Sequence, residues 1–182
     1  MKKIMLWAIL CIITLSINAQ ENEDQHFIRN HEIKINMSNL IGFKWLDVGY
    51  EKILNEESSI GIGTLISLDQ QVDGIDEYRT FSISPYYRHF FSNKYARGFF
   101  VEAFTMLHAG TEENYYSNSS PYDSLVKEKY TDLAAGISVG GKFVTKRGFV
   151  TEIYLGIGRD LLGNSDLEVV GRGGVSIGYR FE

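Results

Sequence analysis

The sequence predicts an all-β fold: eight antiparallel strands, running up and down and closed into a barrel. Three observations carry this reading. Eight runs after residue 31 alternate apolar and polar side chains at period two, which is the signature of strands with two unlike faces. The connections between runs are alternately short and long, as at the two ends of an up-and-down sheet. The composition, with 11 Tyr, 11 Phe and 18 Gly against 2 Pro, suits strands and tight turns. No stretch after the N-terminal segment shows a helical period.

Residues 1–19, "MKKIMLWAILCIITLSINA", carry two lysines, an apolar run from Ile4 to Ile17 and a small residue at Ala19. That is the layout of a secretory signal peptide, cut after about Ala19 and too short for a membrane helix of roughly 20 apolar residues. Loss of Lys2 and Lys3 takes the net charge from -5 to -7, and Cys11, the only cysteine, leaves with them. The exported chain then has no disulfide and no cysteine metal site. Its acidic balance and lack of a basic stripe exclude nucleic acid as a partner. Residues 20–31 read as a flexible lead-in and residues 32–182 as one domain.

Run one covers about 32–41, with Ile33 and Ile35 against Lys34 and Asn36, and run two about 44–54, with Leu46, Val48 and Tyr50 against Asp47, Gly49 and Glu51. Run three (58–68) sets Ile60, Ile62 and Ile66 against Gly61 and Gly63, and run four (79–91) sets Phe81, Ile83 and Tyr87 against Ser82, Tyr86 and Arg88. Run five (98–110) has Phe99 and Val101 against Glu102, Phe104 and His108. Run six (131–143) has Ile137 and Val139 against Gly136, Ser138, Gly140 and Lys142. Run seven (149–161) has Ile153, Leu155 and Ile157 against Glu152, Tyr154 and Gly156, and run eight (174–181) has Val175, Ile177, Tyr179 and Phe181 against Gly174, Ser176, Gly178 and Arg180. "NEES", "SNKYARG" and "VTKRG" are the short connections after runs two, four and six. Those after runs three, five and seven are longer, while "NLIGFK" after run one is a short exception.

The content of the polar face decides which face points in. Glycine on a water-facing strand weakens it and covers nothing. Inside a narrow eight-stranded barrel, glycine makes room for large neighbours. Eight glycines fall on the polar face (61, 63, 136, 140, 156, 158, 174 and 178) beside Tyr86, Phe104, Tyr154 and Arg180. The polar face therefore points in and the apolar face out. Strands of about 9–11 tilted residues suffice to cross a bilayer, so the expectation is a transmembrane β-barrel. Phe91, Phe99, Phe143, Phe149, Tyr179 and Phe181 cluster at the tight end as an interfacial aromatic girdle. The opposite orientation, a soluble periplasmic lipocalin-like barrel holding a small apolar ligand, is the competing reading.

From about residue 32 onward the chain resembles the small eight-stranded outer-membrane barrels of the OmpX type and of the OmpA membrane domain. It is closer still to short barrel proteins of Bacteroidota, through "SPYYRHFFS", "ARGFFVEAF", "VTKRGFVTEIYLGIGR" and "RGGVSIGYRF". The resemblance implies an outer-membrane location, with both termini and the girdle on the periplasmic side, long loops outside, and outer-membrane lipid as surroundings. It also implies a C-terminal aromatic read by the barrel-assembly machinery. Phe181 fits that role, although Glu182 follows it.

The chemical motifs are few. Gly136–Gly140 and Gly174–Gly178 match G-x-S-x-G but lie inside alternating strands, without the strand–turn–helix setting of a nucleophile elbow. His26, His31, His89 and His108 lack zinc-site spacing; by parity His89 faces out and His108 in. The acidic stretch with Asp69, Asp73, Asp76 and Glu77 lacks the EF-hand pattern. Tyr115, Tyr116 and Tyr122 in the longest loop offer an adhesive patch. No catalytic, metal or cofactor site is assigned.

The sharpest constellation is an inward ionic cluster of Arg88, Glu102, Lys142, Glu152 and Arg180 near the tight end. If Phe91 sits opposite Phe99, Arg88 falls opposite Glu102. If Phe143 sits opposite Phe149, Lys142 lies one diagonal step from Glu152. Arg180 joins from run eight beside run seven. Charges withdrawn from water must pair or cost several kcal/mol, so the cluster is expected to plug the lumen. The expected function is non-enzymatic: a barrel presenting loops for envelope structure, adhesion or binding of an extracellular or envelope protein. An outer-membrane lipid-modifying enzyme is the alternative.

Overall fold

The structure, a computed structural model, describes residues 29–68, 77–92, 94–116, 124–163 and 168–182. The expected signal peptide and most of the expected lead-in lie outside the described residues. Eight antiparallel strands close into one barrel in chain order: β1 (His31–Asn36), β2 (Trp45–Ile53), β3 (Ser58–Ser67), β4 (Glu77–Phe90), β5 (Gly98–Tyr116), β6 (Ser124–Val144), β7 (Phe149–Asp160) and β8 (Val169–Phe181). The seam is β1 against β8, with His31 opposite Phe181 and Ile35 opposite Ile177.

The registers fix the shape. Partners followed round the wall from His31 run through Lys52, Ile60, Tyr87, Ala103, Ile137 and Ile157 to Gly171. The β8–β1 register would set Gly171 against position 41, a stagger of ten residues from 31. Eight strands with that stagger tilt by about 40° and leave room only for side chains.

Three boundaries differ from the sequence reading. Run one does not extend to residue 41: β1 ends at Asn36, and Met37–Phe43 form a helix, α1. The Asn36 side chain accepts a hydrogen bond from the Asn39 amide (3.2 Å) as N-cap, and Lys44 takes a left-handed φ of 53° at the end. Capping of this kind competes with strand geometry. α1 stands in the wall where β1 stops, since the Val175 amide donates to Ser38 Oγ (3.0 Å) and Asn36 Nδ2 to the Gly173 carbonyl (3.0 Å).

The longest connection, expected to be a loop from residue 111 to 130, is mostly ladder. The β5–β6 pairing continues to Tyr116 opposite Ser124. Residues 117–123, including Tyr122, lie outside the described residues, as do Asp69, Asp73 and Asp76. Lastly, Val169–Gly171, read as loop, belong to β8.

Apolar side chains point outward and polar ones inward. Exposed positions include Ile60, Ile62, Ile137, Ile153, Leu155 and Ile157, while Arg88, Glu102, Lys142, Glu152 and Arg180 are buried. The lumen is layered. Ile53, Phe90, Ala96 and Phe100 close the tight end, and Tyr86, Phe104, Met106, Ala134 and Val170 form a second apolar layer. Charges lie between them. Glycine makes this packing possible: a Cβ at Gly136 would overlap the Ile157 carbonyl and press on Gly158 and Phe104.

Candidate functional site

The lumen begins with the β4–β5 hairpin. Phe91 donates its amide to the Phe99 carbonyl (3.0 Å), which sets Arg88 directly opposite Glu102. Arg88 gives Nε (3.1 Å) and Nη2 (2.6 Å) to Glu102 Oε2, and Nη1 to Glu152 (2.8 Å) and Glu51 (3.0 Å). Its guanidinium lies 3.9 Å from the centre of the Phe100 ring, a favourable cation–π geometry.

The β6–β7 turn corrects one expectation. Thr145 donates to the Phe149 carbonyl (2.9 Å) and Gly148 adopts a φ of 93°. Val144 therefore faces Val150, Phe143 faces Thr151 rather than Phe149, and Lys142 faces Glu152 directly instead of diagonally. Even so, Lys142 Nζ does not use Glu152. It reaches Glu32 (2.8 Å) and Glu51 across the lumen.

Arg180 differs from the expectation in the same way. It points inward, but its carboxylate is Glu32 on β1 (Nε to Oε1, 2.7 Å), its directly paired residue across the seam. Its Nη2 also donates to the Ala96 carbonyl (2.7 Å), tying the β4–β5 turn beneath the barrel mouth.

Four members of the network are absent from the sequence-derived set: Glu32, Lys34, Glu51 and Arg172. Lys34 Nζ bonds Glu51 and Glu152. Arg172 gives Nη1 to Glu102 Oε1 (2.6 Å), among the rings of Tyr86, Phe104 and Tyr154. Together they make five cations (Lys34, Arg88, Lys142, Arg172, Arg180) threaded between four carboxylates (Glu32, Glu51, Glu102, Glu152). Parity already places all four missed residues on the inward face. What parity lacks is the reach across the lumen, since neighbouring strands alone do not bring β6 to β1.

The six girdle aromatics are all exposed at the tight end, with ring centres 5.9 Å apart for Phe91 and Phe99 and 6.0 Å for Phe149 and Tyr179. The two G-x-S-x-G serines sit on strands and face the lumen, where Ser138 Oγ donates to Glu102 (3.1 Å). Near the long-loop end, His108 Nε2 pairs with Asp160 (2.9 Å), Tyr130 stacks edge-on, and Ser82 and Asp132 are its cross-strand partners. His108 Nδ1 is buried without a hydrogen-bond partner.

The lumen is thus a cross-linked ionic plug. It offers neither a pore nor an apolar ligand chamber among the described residues. Comparison with known proteins supplies no relative: no family model matches the chain, and neither does any curated protein or solved structure searched.

Proposed function

We propose that this protein is an outer-membrane β-barrel of OmpX-like type that works without catalysis, as a rigid membrane anchor presenting its long-loop end to partners outside the cell or in the envelope. The observation that carries the proposal is the inversion of the barrel. Leu155 is 73% exposed and Phe143 67%, while Arg88 and Lys142 are 1% exposed. A barrel in water gains by the opposite arrangement. Ten residues at about 3.3 Å, tilted by about 40°, rise about 25 Å, the height of the apolar band in outer-membrane barrels.

The β5–β6 ladder suits the presenting role, because it continues beyond the top of every other strand. Cell fractionation tests the proposal. The protein stays with outer membranes through carbonate washing and runs as a faster band until boiled. Release into the soluble periplasmic fraction would refute it.

One observation favours a second, enzymatic reading: His108 paired to Asp160, with Ser82 opposite in register and Nδ1 unpartnered. Against it, His108 and Ser82 are buried inside the wall, at 1% and 3% exposure. Lipid hydrolysis abolished by His108→Ala in an otherwise intact barrel would establish that reading in place of the first.

A further inference from the structure

The outer wall is not uniformly convex. A groove of about 590 Å³ runs over β2 to β5 on the face that the proposed function turns to lipid, within the range of sites that hold small molecules. Tyr50, Ile60, Ile62 and Tyr87 form its sides, each between 39% and 47% exposed. Its floor is low because the residues there are small: Gly61 and Ala103 line it, with the Tyr86 ring directly beneath Gly61.

Pro85 shapes the middle. It faces out, has no N–H to give, and the β4–β5 ladder skips it and Ser84 between Ile83–Leu107 and Tyr86–Phe104. Proline is tolerated in a strand where the ladder has such a gap.

The tight end of the groove is different. Lys52 lines it, one residue before β2 ends, and is exposed. It is the only charged side chain on the outward faces of β2 and β3. Among the described residues nothing forms an ion pair with it. Its cross-strand neighbour is His31, whose Nδ1 is bonded to the Tyr50 hydroxyl. A cation with polar neighbours at the rim and an apolar channel leading away from it match an amphiphile with an anionic head and a hydrocarbon tail.

We propose that this groove is a binding site for one glycerophospholipid of the leaflet at the tight end. The phosphodiester sits on Lys52 beside His31 and Tyr50, and one acyl chain lies along Ile60, Ile62 and Pro85. The site rests on the membrane reading above, since an acyl chain reaches this face only from a bilayer. The head selects and the groove holds: a long basic side chain near the interface keeps its charge in the polar zone while its stem covers apolar surface.

Native mass spectrometry of the barrel extracted in mild detergent tests this, with titration by phosphatidylglycerol, phosphatidylethanolamine and a diacylglycerol of matched chains. The expected result is one retained phospholipid and no retained diacylglycerol. Lys52→Glu lowers the bound fraction by about fivefold, the scale of one exposed charge contact, and Lys52→Arg restores it. Ala103→Trp, which fills the floor, lowers binding with the head site intact. Equal retention of diacylglycerol, or phospholipid binding indifferent to either Lys52→Glu or Ala103→Trp, would overturn the site. Carbonate extraction of the same variants separates the two claims: a barrel that stays in the membrane but ignores Lys52 defeats the site alone, and a barrel that washes off defeats the membrane reading.

Discussion

Glu102 is shared by two arginines, one on each oxygen. Arg88 holds Oε2 through Nε and Nη2, and Arg172 holds Oε1 at 2.6 Å. The carboxylate is fully buried, and besides the two arginines only the Ser138 hydroxyl is seen to donate to it among the described residues. Removing a partner from a buried charge costs about 3–5 kcal/mol, because the remaining charge is stranded. Arg88→Met takes a partner from three buried carboxylates at once, those of Glu51, Glu102 and Glu152, and leaves only Lys34, Lys142 and Arg172 to serve them. It should therefore lower stability by at least that range, read as a shift in the urea midpoint of the barrel refolded in vesicles. Glu102→Gln should cost less, since Arg88 keeps Glu51 and Glu152. Equal costs would mean that the lumen is wet enough to hydrate whichever charge is left.

The seam gives a local prediction. Arg180 joins β8 to Glu32 on β1 and to the Ala96 carbonyl under the barrel mouth. Arg180→Gln leaves Glu32 with Lys142 at 2.8 Å, so the loss is limited to charged hydrogen bonds of about 1.5–3 kcal/mol each. Amide exchange should quicken in β1, β8 and the 95–96 turn, with β5 and β6 unchanged. A uniform change along the chain would show that the seam is not an independent opening unit.

The wall was largely legible in the sequence, because a side chain on a strand has only two directions to choose from. Parity alone puts Arg88, Glu102, Lys142, Glu152 and Arg180 on the inner face. The β4–β5 pairing follows from one turn, since Phe91 and Phe99 are natural partners. The β6–β7 pairing does not, because a two-residue difference in turn length leaves every face unchanged and only slides the pairs. That is why the sequence places Lys142 diagonal to Glu152, whereas the structure sets it directly opposite. The seam and the cross-lumen contacts, such as Lys142 to Glu32, depend on the stagger of the closed barrel. No single strand encodes that quantity. Helix α1 was missed because its seven residues are too few to display a period, and its cap is a single asparagine.

Glycine supplies a paired test of the crowded interior. At Gly136 a Cβ would overlap the Ile157 carbonyl and lie 2.7 Å from the Phe104 ring, whereas at Gly171 it would meet nothing within 4 Å. Gly136→Ala should destabilise by about 1–3 kcal/mol through overpacking, and Gly171→Ala should stay within about 0.5 kcal/mol of the parent. Urea midpoints of the two variants, measured side by side, check this. Similar values would imply a lumen loose enough to absorb a methyl group.

The outer face offers the most direct test of what surrounds it. Leu155 sits near the middle of β7, 73% exposed, and Phe149 begins the strand at the girdle, 63% exposed. In water, an arginine at either site changes stability by no more than about 0.5 kcal/mol. In a bilayer the cost follows depth, about 2–4 kcal/mol at the midplane and about 0–1 near the interface. Leu155→Arg should therefore lower the urea midpoint in vesicles strongly and Phe149→Arg slightly, with both variants alike in detergent, where depth is poorly defined. The difference between the two positions carries the information. A shared loss of stability reports on packing, and only a loss that grows toward the strand centre reports a hydrocarbon layer of fixed thickness around the barrel.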